Sequence, residues 1–196
     1  MRWLNIIRKY YYCLLILVST AIQQIGLLLR GIKCKHCKFV GLSTIYNTQG
    51  SIINIGNGCT FNSTHSWNLL GVNRKCIVST LTKNARIYIG ANCGFSGVSI
   101  GAFDSIRIGE NCLFGANVVV TDSDWHCLIP EQRFTGKVKT AAVNIGNNVF
   151  IGANALILKG SVIGDNSVIG AGSVVSGTIP SDVIAAGNPC KIIRHL

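Results

Sequence analysis

Acidic residues are scarce in this chain of 196 residues, which has seven Asp and Glu against eighteen Lys and Arg and a net charge of +11. None of the seven precedes Asp104, so the whole excess of positive charge lies before that residue. A general nucleic-acid binder would spread its basic residues over the fold and interleave them with exposed aromatics. Here the basic residues flank one apolar segment, which argues against nucleic acid and favours an anionic membrane surface as the partner of residues 1–38.

Proline is also rare, with three residues against 22 glycines, and hydrophobic residues make up 48% of the chain. The low proline content excludes a proline-rich linker, and the apolar content excludes an intrinsically disordered chain. The length suits one domain with a substantial core. Frequent glycine in a chain poor in proline is typical of a fold with many tight corners.

Motifs for zinc binding and nucleotide hydrolysis are incomplete or missing. Cys34 and Cys37 form a single CxxC pair without the second pair that completes a zinc site, so we expect no metal. There is no Walker-type loop to support nucleotide hydrolysis. Several of the nine cysteines recur in a repeat described below, and reduced, buried thiols in the cytoplasm are the simplest interpretation.

Residues 10–29 are apolar except for Ser19, Thr20, Gln23 and Gln24. A transmembrane helix needs about 20 apolar residues, and the two glutamines weaken that alternative. A cleaved signal peptide is a second alternative, because the small residues near position 20 loosely resemble a cleavage site. We favour a third, a helix that lies in the membrane interface or packs against the domain.

A six-residue repeat is the strongest pattern in the sequence. An aliphatic residue begins every hexad of one unbroken series, at Ile145, Ile151, Ile157, Ile163, Ile169 and Val175. A small residue follows four positions later, at Val149, Ala155, Ser161, Ser167 and Ser173. Three hexads make one triangular coil of about eighteen residues, in which the aliphatic side chain points inward and stacks on its equivalent in the next coil.

The repeat continues upstream with less regularity. Aliphatic residues that begin equivalent coils are each followed four positions later by a cysteine, at Cys59, Cys76, Cys93 and Cys112. We therefore predict that these four thiols stack in one interior column as small buried hydrophobes. The fold class predicted from the repeat is an all-β solenoid over residues 39–180, preceded by an apolar helical segment and followed by a tail over residues 181–196, where a short helix or strand is expected near residues 191–196.

The repeat breaks at about residues 121–140, which we predict to leave the coil as a protruding loop. The loop opens with the sequence TDSDWH and carries several titratable groups in a chain that has few of them. Long insertions in solenoids lie at one edge and often carry function.

The hexads, the TDSDWH stretch, the run over residues 162–175 and the ending AGNPCK together resemble the hexapeptide-repeat acyltransferases. Within that family the chain is similar to sugar O-acetyltransferases of the galactoside/maltose and capsular polysaccharide type, over residues 50–196. The resemblance implies a left-handed parallel β-helix, a homotrimer with active sites between subunits, and acetyl-CoA lying along the coil. It also implies that His126, the one histidine in the loop, is catalytic.

Further roles follow from the same resemblance. Acceptor binding maps weakly onto Asn92 or Ser96. The groove for the pantetheine arm of CoA maps onto five small residues, Gly152, Ala153, Gly170, Ala171 and Ser176. Two basic residues near the C-terminus, Lys191 and Arg194, are expected to bind the CoA phosphates. For Gly152 and Gly170, a purely structural role in the coil is the open alternative.

The proposed chemistry needs a base, because a protonated sugar hydroxyl is a poor nucleophile while a thioester is already activated. His126 is the predicted general base. Asp124 or Asp122 is expected to orient its imidazole, the alternative being a loop-capping turn. Trp125 either stacks on a sugar ring or packs under the loop.

The predicted function is transfer of an acetyl group from acetyl-CoA to a sugar hydroxyl in capsular or exopolysaccharide biosynthesis. Acyl transfer to the nitrogen of an amino sugar and a non-catalytic solenoid scaffold are the alternatives. The expected location is the cytoplasm, peripherally at the inner face of the cell membrane.

Overall fold

The computed structural model describes residues 2–65 and 68–196, which form one α-helix, a short 3-10 helix (Pro130–Gln132) and three β-sheets whose strands are parallel except for the last one. Helix α1 spans Arg2–Leu29 and precedes all of the strands. Sheet A contains β1 (Lys33–Cys34), β4 (Ile52–Ile55), β7 (Arg86–Ile89), β10 (Ser105–Ile108), β13 (Val143–Ile145), β16 (Val162–Ile163) and β19 (Thr178–Ile179). Sheet B contains β2 (Lys38–Val40), β5 (Thr60–Asn62), β8 (Gly94–Ser96), β11 (Leu113–Phe114), β14 (Phe150–Ile151), β17 (Val168–Ile169), β20 (Val183–Ala186) and β21 (Lys191–His195). Sheet C contains β3 (Thr44–Asn47), β6 (Ile77–Thr80), β9 (Ser99–Ala102), β12 (Val119–Thr121), β15 (Leu156–Ile157) and β18 (Val174–Val175).

As far as β20 the chain visits the three sheets in rotation, so that each of these strands pairs with the strand three places along the chain. One circuit from sheet A through B to C is one coil, and the six strands of sheet C complete six coils. The turns between sheets are named here the A–B, B–C and C–A corners. Neighbouring strands in a sheet are about 4.8 Å apart, so each coil lies one such step from the next.

The aliphatic residue of each hexad occupies the interior, as predicted. Ile145 is in register with Ile163 in sheet A, and Ile151 with Ile169 in sheet B, and all four side chains are buried. Inward-facing residues of successive coils therefore stack in columns and bury a core that no single coil could bury alone.

Phenylalanine fills the sheet B column in the first four coils. The rings of Phe39, Phe61, Phe95 and Phe114 are stacked, with centroids 5.0, 4.9 and 4.9 Å apart. Ile151 continues the column in the fifth coil. The change from aromatic to aliphatic residues explains why the hexad pattern is clearer in the second half of the sequence.

The predicted cysteine column is wrong at one position. Cys59, Cys93 and Cys112 precede equivalent strands of sheet B, but Cys76 precedes β6 of sheet C. Its place in the column is taken by Cys37, which precedes β2. The reason is the long stretch of sequence between β5 and β6, whose length makes the spacing from Cys59 to Cys76 look like one full coil.

The coil also extends beyond the predicted boundary at residue 180. Strand β20 pairs in parallel with β17 and so continues sheet B. The chain then turns back, and β21 pairs antiparallel with β20. The final segment is thus the strand alternative of the two expected near residues 191–196.

Candidate active site

The loop that interrupts the coils runs from the end of β12 to the start of β13, over residues 122–142, and it is anchored by Asp122. This side chain is fully buried, and its carboxylate accepts hydrogen bonds from the backbone N–H groups of Phe103 at 2.8 Å and Asp104 at 2.7 Å. Burial raises the pKa of Asp122, against the opposing effect of these hydrogen bonds. Both oxygens are therefore committed to the C–A corner of the preceding coil, and Asp122 is an anchor of the loop.

The two ends of the loop are joined by backbone hydrogen bonds. The N–H of Ala141 donates to the carbonyl of Asp122 at 2.9 Å, and the N–H of Asp124 donates to the carbonyl of Lys139 at 3.1 Å. Ser123 and Thr140 form an isolated antiparallel bridge. The loop base is consequently a short two-stranded ribbon, which fixes the backbone immediately before the histidine.

Asp124 forms an ion pair with Lys159, and its Oδ1 atom accepts a hydrogen bond from the Lys159 Nζ. The side chain of Asp124 is 16% exposed. Its second oxygen, Oδ2, is buried and has no hydrogen-bond partner among the described residues. A buried carboxylate oxygen without a donor is costly, so this atom is free to accept a hydrogen bond from a neighbouring side chain or a bound ligand.

His126 lies two residues further along, on the exposed side of the loop. Its backbone N–H donates to the carbonyl of Asp124 at 2.7 Å, which forms a tight turn between them. The imidazole packs edge-on against Phe134, with ring centroids 5.8 Å apart and an interplanar angle of 77°. The turn fixes the backbone of His126, and its imidazole has one aromatic neighbour while remaining exposed to a ligand.

Trp125 packs against the coil beneath the loop. Its φ angle is +63°, an uncommon conformation for a bulky residue, and its indole Nε1–H donates to the Thr121 hydroxyl at 2.9 Å. The ring lies over Gly101 and edge-on against Phe103, at 5.5 Å between centroids. These contacts support the packing alternative, although 48% of the residue remains exposed and could still carry a sugar ring.

The two residues assigned to acceptor binding lie elsewhere on the coil. Asn92 is in an A–B corner, where its side-chain amide donates to the Asn111 side chain at 3.2 Å. Ser96 ends β8, next to the B–C corner. His126 follows a strand of sheet C, so one protomer places these three residues at three different corners.

The residues assigned to CoA binding fall into three groups. Gly152, Ala153, Gly170 and Ala171 share the B–C corner of two successive coils. A side chain at Gly152 would contact the backbone N of Ala171 at 2.5 Å, and one at Gly170 would contact the Ala186 Cβ at 2.8 Å. Close contact between coils therefore explains both glycines, and their role toward CoA stays a prediction.

The remaining three assigned residues are exposed. Ser176 and Arg194 lie away from that corner, whereas Lys191 is in register with Ala186, which stands against Gly170 there. Ser176 follows β18 and lies at the C–A corner. Lys191 and Arg194 lie on β21, which is the last strand of sheet B. The structure does not bring Ser176 together with the alanines and glycines of the B–C corner.

Lys159 is the site residue that the sequence analysis missed. The hexads that begin at Ile145, Ile151, Ile163 and Ile169 continue with glycine, whereas the one that begins at Ile157 continues with Leu and Lys159. That departure is the signal in the sequence. It could not reveal the partner, because Asp124 belongs to a loop whose path no repeat determines.

Two family models of hexapeptide repeats match the chain, "Bacterial transferase hexapeptide (six repeats)" over residues 142–177 and "Hexapeptide repeat of succinyl-transferase" over residues 105–121. These matches show that the coils contain the repeats of the hexapeptide-repeat transferases. The family resemblance of the sequence is thereby confirmed. Both matches lie in the coils, on either side of the loop that carries His126.

Known proteins similar to this chain include O-acetyltransferases. It is 40% identical over 114 residues to the galactoside O-acetyltransferase of Escherichia coli (strain K12), a match that covers 57% of this chain and 55% of that protein. It is 29% identical over 107 residues to a putative lipopolysaccharide biosynthesis O-acetyl transferase of the same strain, which covers 50% of this chain and 54% of that protein. The chain thus spans about half the length of these curated relatives.

A solved structure of a galactoside acetyltransferase in complex with coenzyme A has a similar fold. It superposes with a TM-score of 0.56 at 28% sequence identity, and the match covers 90% of this chain and 72% of that one. The similarity therefore includes nearly all of this chain.

Proposed function

We propose that this protein transfers an acetyl group from acetyl-CoA to a hydroxyl of a sugar, in capsular or exopolysaccharide biosynthesis. The observation that carries the proposal is the position of His126 on the exposed side of the loop, just after a ribbon that Asp122 anchors to the coil. Two residues before it stands Asp124, which Lys159 holds through one carboxylate oxygen while the other oxygen is buried and free. The O-acetyltransferases among its relatives support the same chemistry.

His126 acts as the general base in this proposal. Acetyl-CoA supplies an acyl group already activated as a thioester. The neutral imidazole removes the proton of the sugar hydroxyl as its oxygen bonds to the thioester carbon, and it returns a proton to the CoA sulfur as the carbon–sulfur bond breaks. Asp124 is a positioning residue, whose free Oδ2 accepts a hydrogen bond from the imidazole when the site is engaged and stabilises its charged form.

The B–C corner has a surface that suits the pantetheine arm. Ala153 is partly exposed and Ala171 is exposed, and they stand at the same place in successive coils. Neither presents more than a methyl group, so a slender chain can lie along the coil axis beside them. Lys191 and Arg194 are exposed on β21 and are available for phosphate oxygens.

A single protomer does not assemble all of the assigned groups at one corner. Asn92, Ser96 and His126 stand at three different corners, and the alanines of the proposed CoA surface stand at the B–C corner rather than the C–A corner of the loop. We infer that the coil is the left-handed β-helix of the family and that three copies associate, so that the loop of one copy faces the B–C corner of the next. The proposed location is the cytoplasm, which would keep the nine free thiols reduced.

Free-thiol release from acetyl-CoA, measured with a panel of sugar acceptors, tests this function. We expect His126→Ala to lower kcat by about a hundredfold or more. His195→Ala is the matched control, because His195 is exposed on β21, and it should retain the wild-type rate. Equal rates for wild type and His126→Ala would remove the assignment of the base, and a product acetylated on nitrogen would establish the amino-sugar alternative.

A further inference from the structure

Helix α1 turns polar side chains toward the coil. The Ser19 hydroxyl donates to the carbonyl of Phe39, and the Phe39 N–H donates to the Thr20 hydroxyl at 3.0 Å. The side chain of Gln23 accepts the N–H of Ser43 at 3.1 Å, and that of Gln24 donates to the carbonyl of Cys37 at 3.4 Å. The four residues that interrupt the apolar segment therefore form the inner face of the helix.

These hydrogen bonds cap the open edge of sheet B. Strand β2 pairs with β5 on one side and begins the sheet, so the other side of β2 presents unpaired backbone groups. Such an edge is a template for pairing with other chains unless something covers it. The polar residues of α1 satisfy the backbone of Phe39 in both directions, which explains why they occur in an otherwise apolar helix.

The outer face of α1 is consequently apolar and exposed. Large hydrophobic side chains cover it over residues 7–28, among them Ile7, Tyr10, Leu14, Leu17, Ile22, Ile25 and Leu28. Leu17 is 68% exposed and Ile25 is 61% exposed. A helix that packs on a soluble domain normally buries its apolar side, so this arrangement is inverted. Continuous apolar surface of this extent marks an interaction site.

The basic residues around this apolar face indicate which kind of partner it binds. Lys33, Lys35 and Lys38 are exposed in the first coil, beside the helix, and Lys9 is exposed on the helix itself. No acidic residue occurs before Asp104 to oppose them. A second protein would need an apolar surface with an acidic rim, whereas an anionic bilayer offers both an apolar interior and negative headgroups along the full length of the helix.

The contacts of α1 also define how it would meet the bilayer. The helix is long and apolar enough to cross a membrane by length and composition, over Lys9–Leu29. However, Ser19–Phe39 and Gln23–Ser43 contacts hold the middle of the helix against the coil, which cannot enter the hydrocarbon. The folded arrangement thus permits the helix to lie in the interface and excludes a span that keeps these contacts.

We propose that α1 is an inverted amphipathic helix whose polar face caps the edge of the coil and whose apolar face inserts into the interface of an anionic membrane. The helix then serves two purposes with its two faces. This proposal is independent of acetyl transfer, because it involves none of the residues of the loop.

Flotation of the full-length protein with lipid vesicles tests the proposal. The probes are vesicles of phosphatidylcholine alone and vesicles with a third of phosphatidylglycerol, each at low and high salt. In the test variant, Leu17→Glu and Ile25→Glu place two charges on the outer face of α1. In the matched control, Leu69→Glu and Leu70→Glu place the same charges on two exposed leucines between β5 and β6.

We expect wild type and control to bind the anionic vesicles at least about tenfold more strongly than the test variant, with weaker binding in high salt and to the neutral vesicles. Binding should be reversed by carbonate extraction, as for a peripheral protein. Equal binding of wild type and test variant overturns the proposal. Resistance of the bound protein to carbonate overturns the proposal in favour of a membrane-spanning helix. If wild type does not bind vesicles and the test variant changes its oligomeric mass, the proposal is overturned in favour of a second copy of the chain on this face.

Discussion

Lys159 and Asp124 are 35 residues apart in sequence and form an ion pair between the coil and the loop. Lys159 follows β15, in the coil after the loop, whereas Asp124 belongs to the loop base. The pair therefore connects the segment that carries His126 to a rigid part of the fold. Because Lys159 occupies only one carboxylate oxygen, it fixes Asp124 without using up the acceptor proposed for the imidazole.

Replacement of Lys159 by Met should impair catalysis more than binding. The variant leaves the carboxylate of Asp124 without its ion-pair partner, so we expect it to reorient and to lower kcat by about tenfold or more while KM stays nearly constant. The free energy of unfolding should fall by about 1–3 kcal/mol, because a mostly buried charge loses its partner. Steady-state kinetics and chemical denaturation measure the two effects.

Two variants show whether this effect is specific. Lys159→Arg keeps the charge and should recover most of the lost kcat, which a purely structural defect would not. Lys137→Met removes an exposed lysine within the loop and should leave both quantities unchanged. A drop in stability with normal kcat in Lys159→Met would show that the ion pair holds the loop but does not position the base.

The Asp122 anchor predicts a large loss of stability on truncation. Asp122→Ala leaves the N–H groups of Phe103 and Asp104 without their acceptor in a buried place, so we expect a loss of about 2–4 kcal/mol in the free energy of unfolding. Asp104→Ala is the matched control, since the Asp104 side chain is exposed. A loss smaller than that of the control would contradict the anchoring role.

The pH dependence of the same anchor has a definite sign. Burial raises the pKa of Asp122 in the folded state above its ordinary value of 3.8, so the folded protein binds this proton more tightly than the unfolded chain does. The contribution of Asp122 to stability therefore becomes more favourable as the pH falls from neutral toward 4. Denaturation curves recorded at several pH values between 7 and 4 measure this effect. Over that range the free energy of unfolding of wild type should rise relative to that of Asp122→Asn, which has no carboxyl group to titrate at this position.

The sequence predicted the coil well where its repeat is regular, and less well where corners vary in length. Ile145 and Ile163 stack as expected because a hexad with one inward residue leaves little freedom in register. Cys76 was misplaced because the long stretch between β5 and β6 imitated the spacing of a coil. The Asp124–Lys159 pair could not be predicted at all, since loops obey local hydrogen bonding rather than periodicity.

A substitution at Gly101 tests whether the Trp125 indole packs against the coil. A methyl group at residue 101 would stand 3.0 Å from the Cζ2 atom of Trp125. Gly101→Ala should therefore displace the indole by a few tenths of an ångström and lower the free energy of unfolding by about 1 kcal/mol. If the outer side of the ring carries the sugar, KM for the acceptor should rise with kcat nearly constant. Gly177→Ala is the matched control, because a methyl group there meets no atom within 4 Å and should be neutral or slightly stabilising. Equal stability of both variants would contradict the seating of Trp125.

Thiol reactivity provides a test of the burial of the cysteines. Cys13 is exposed on α1, whereas burial raises the pKa of Cys76 and of the partly exposed Cys190. A hydrogen bond with Cys37 and burial likewise raise the pKa of Cys34. Hydrogen bonds with neighbouring thiols lower the pKa of Cys37 and of Cys112, but both side chains are buried, so a reagent cannot reach their thiolates. One thiol should therefore react rapidly with an aromatic disulfide reagent near pH 7.5, and all nine should react in denaturant.

The rapid phase should belong to Cys13 alone. Cys13→Ser should remove it, and Cys76→Ser should leave it intact while lowering the total in denaturant from nine to eight. If α1 binds an anionic membrane as proposed, anionic vesicles should slow the reaction of the Cys13 thiol severalfold compared with the protein alone. An unchanged rate would indicate that α1 stays free in solution. Rapid labelling of several thiols in the native protein would contradict the closed interior column, because the thiols of that column become accessible only when coils separate.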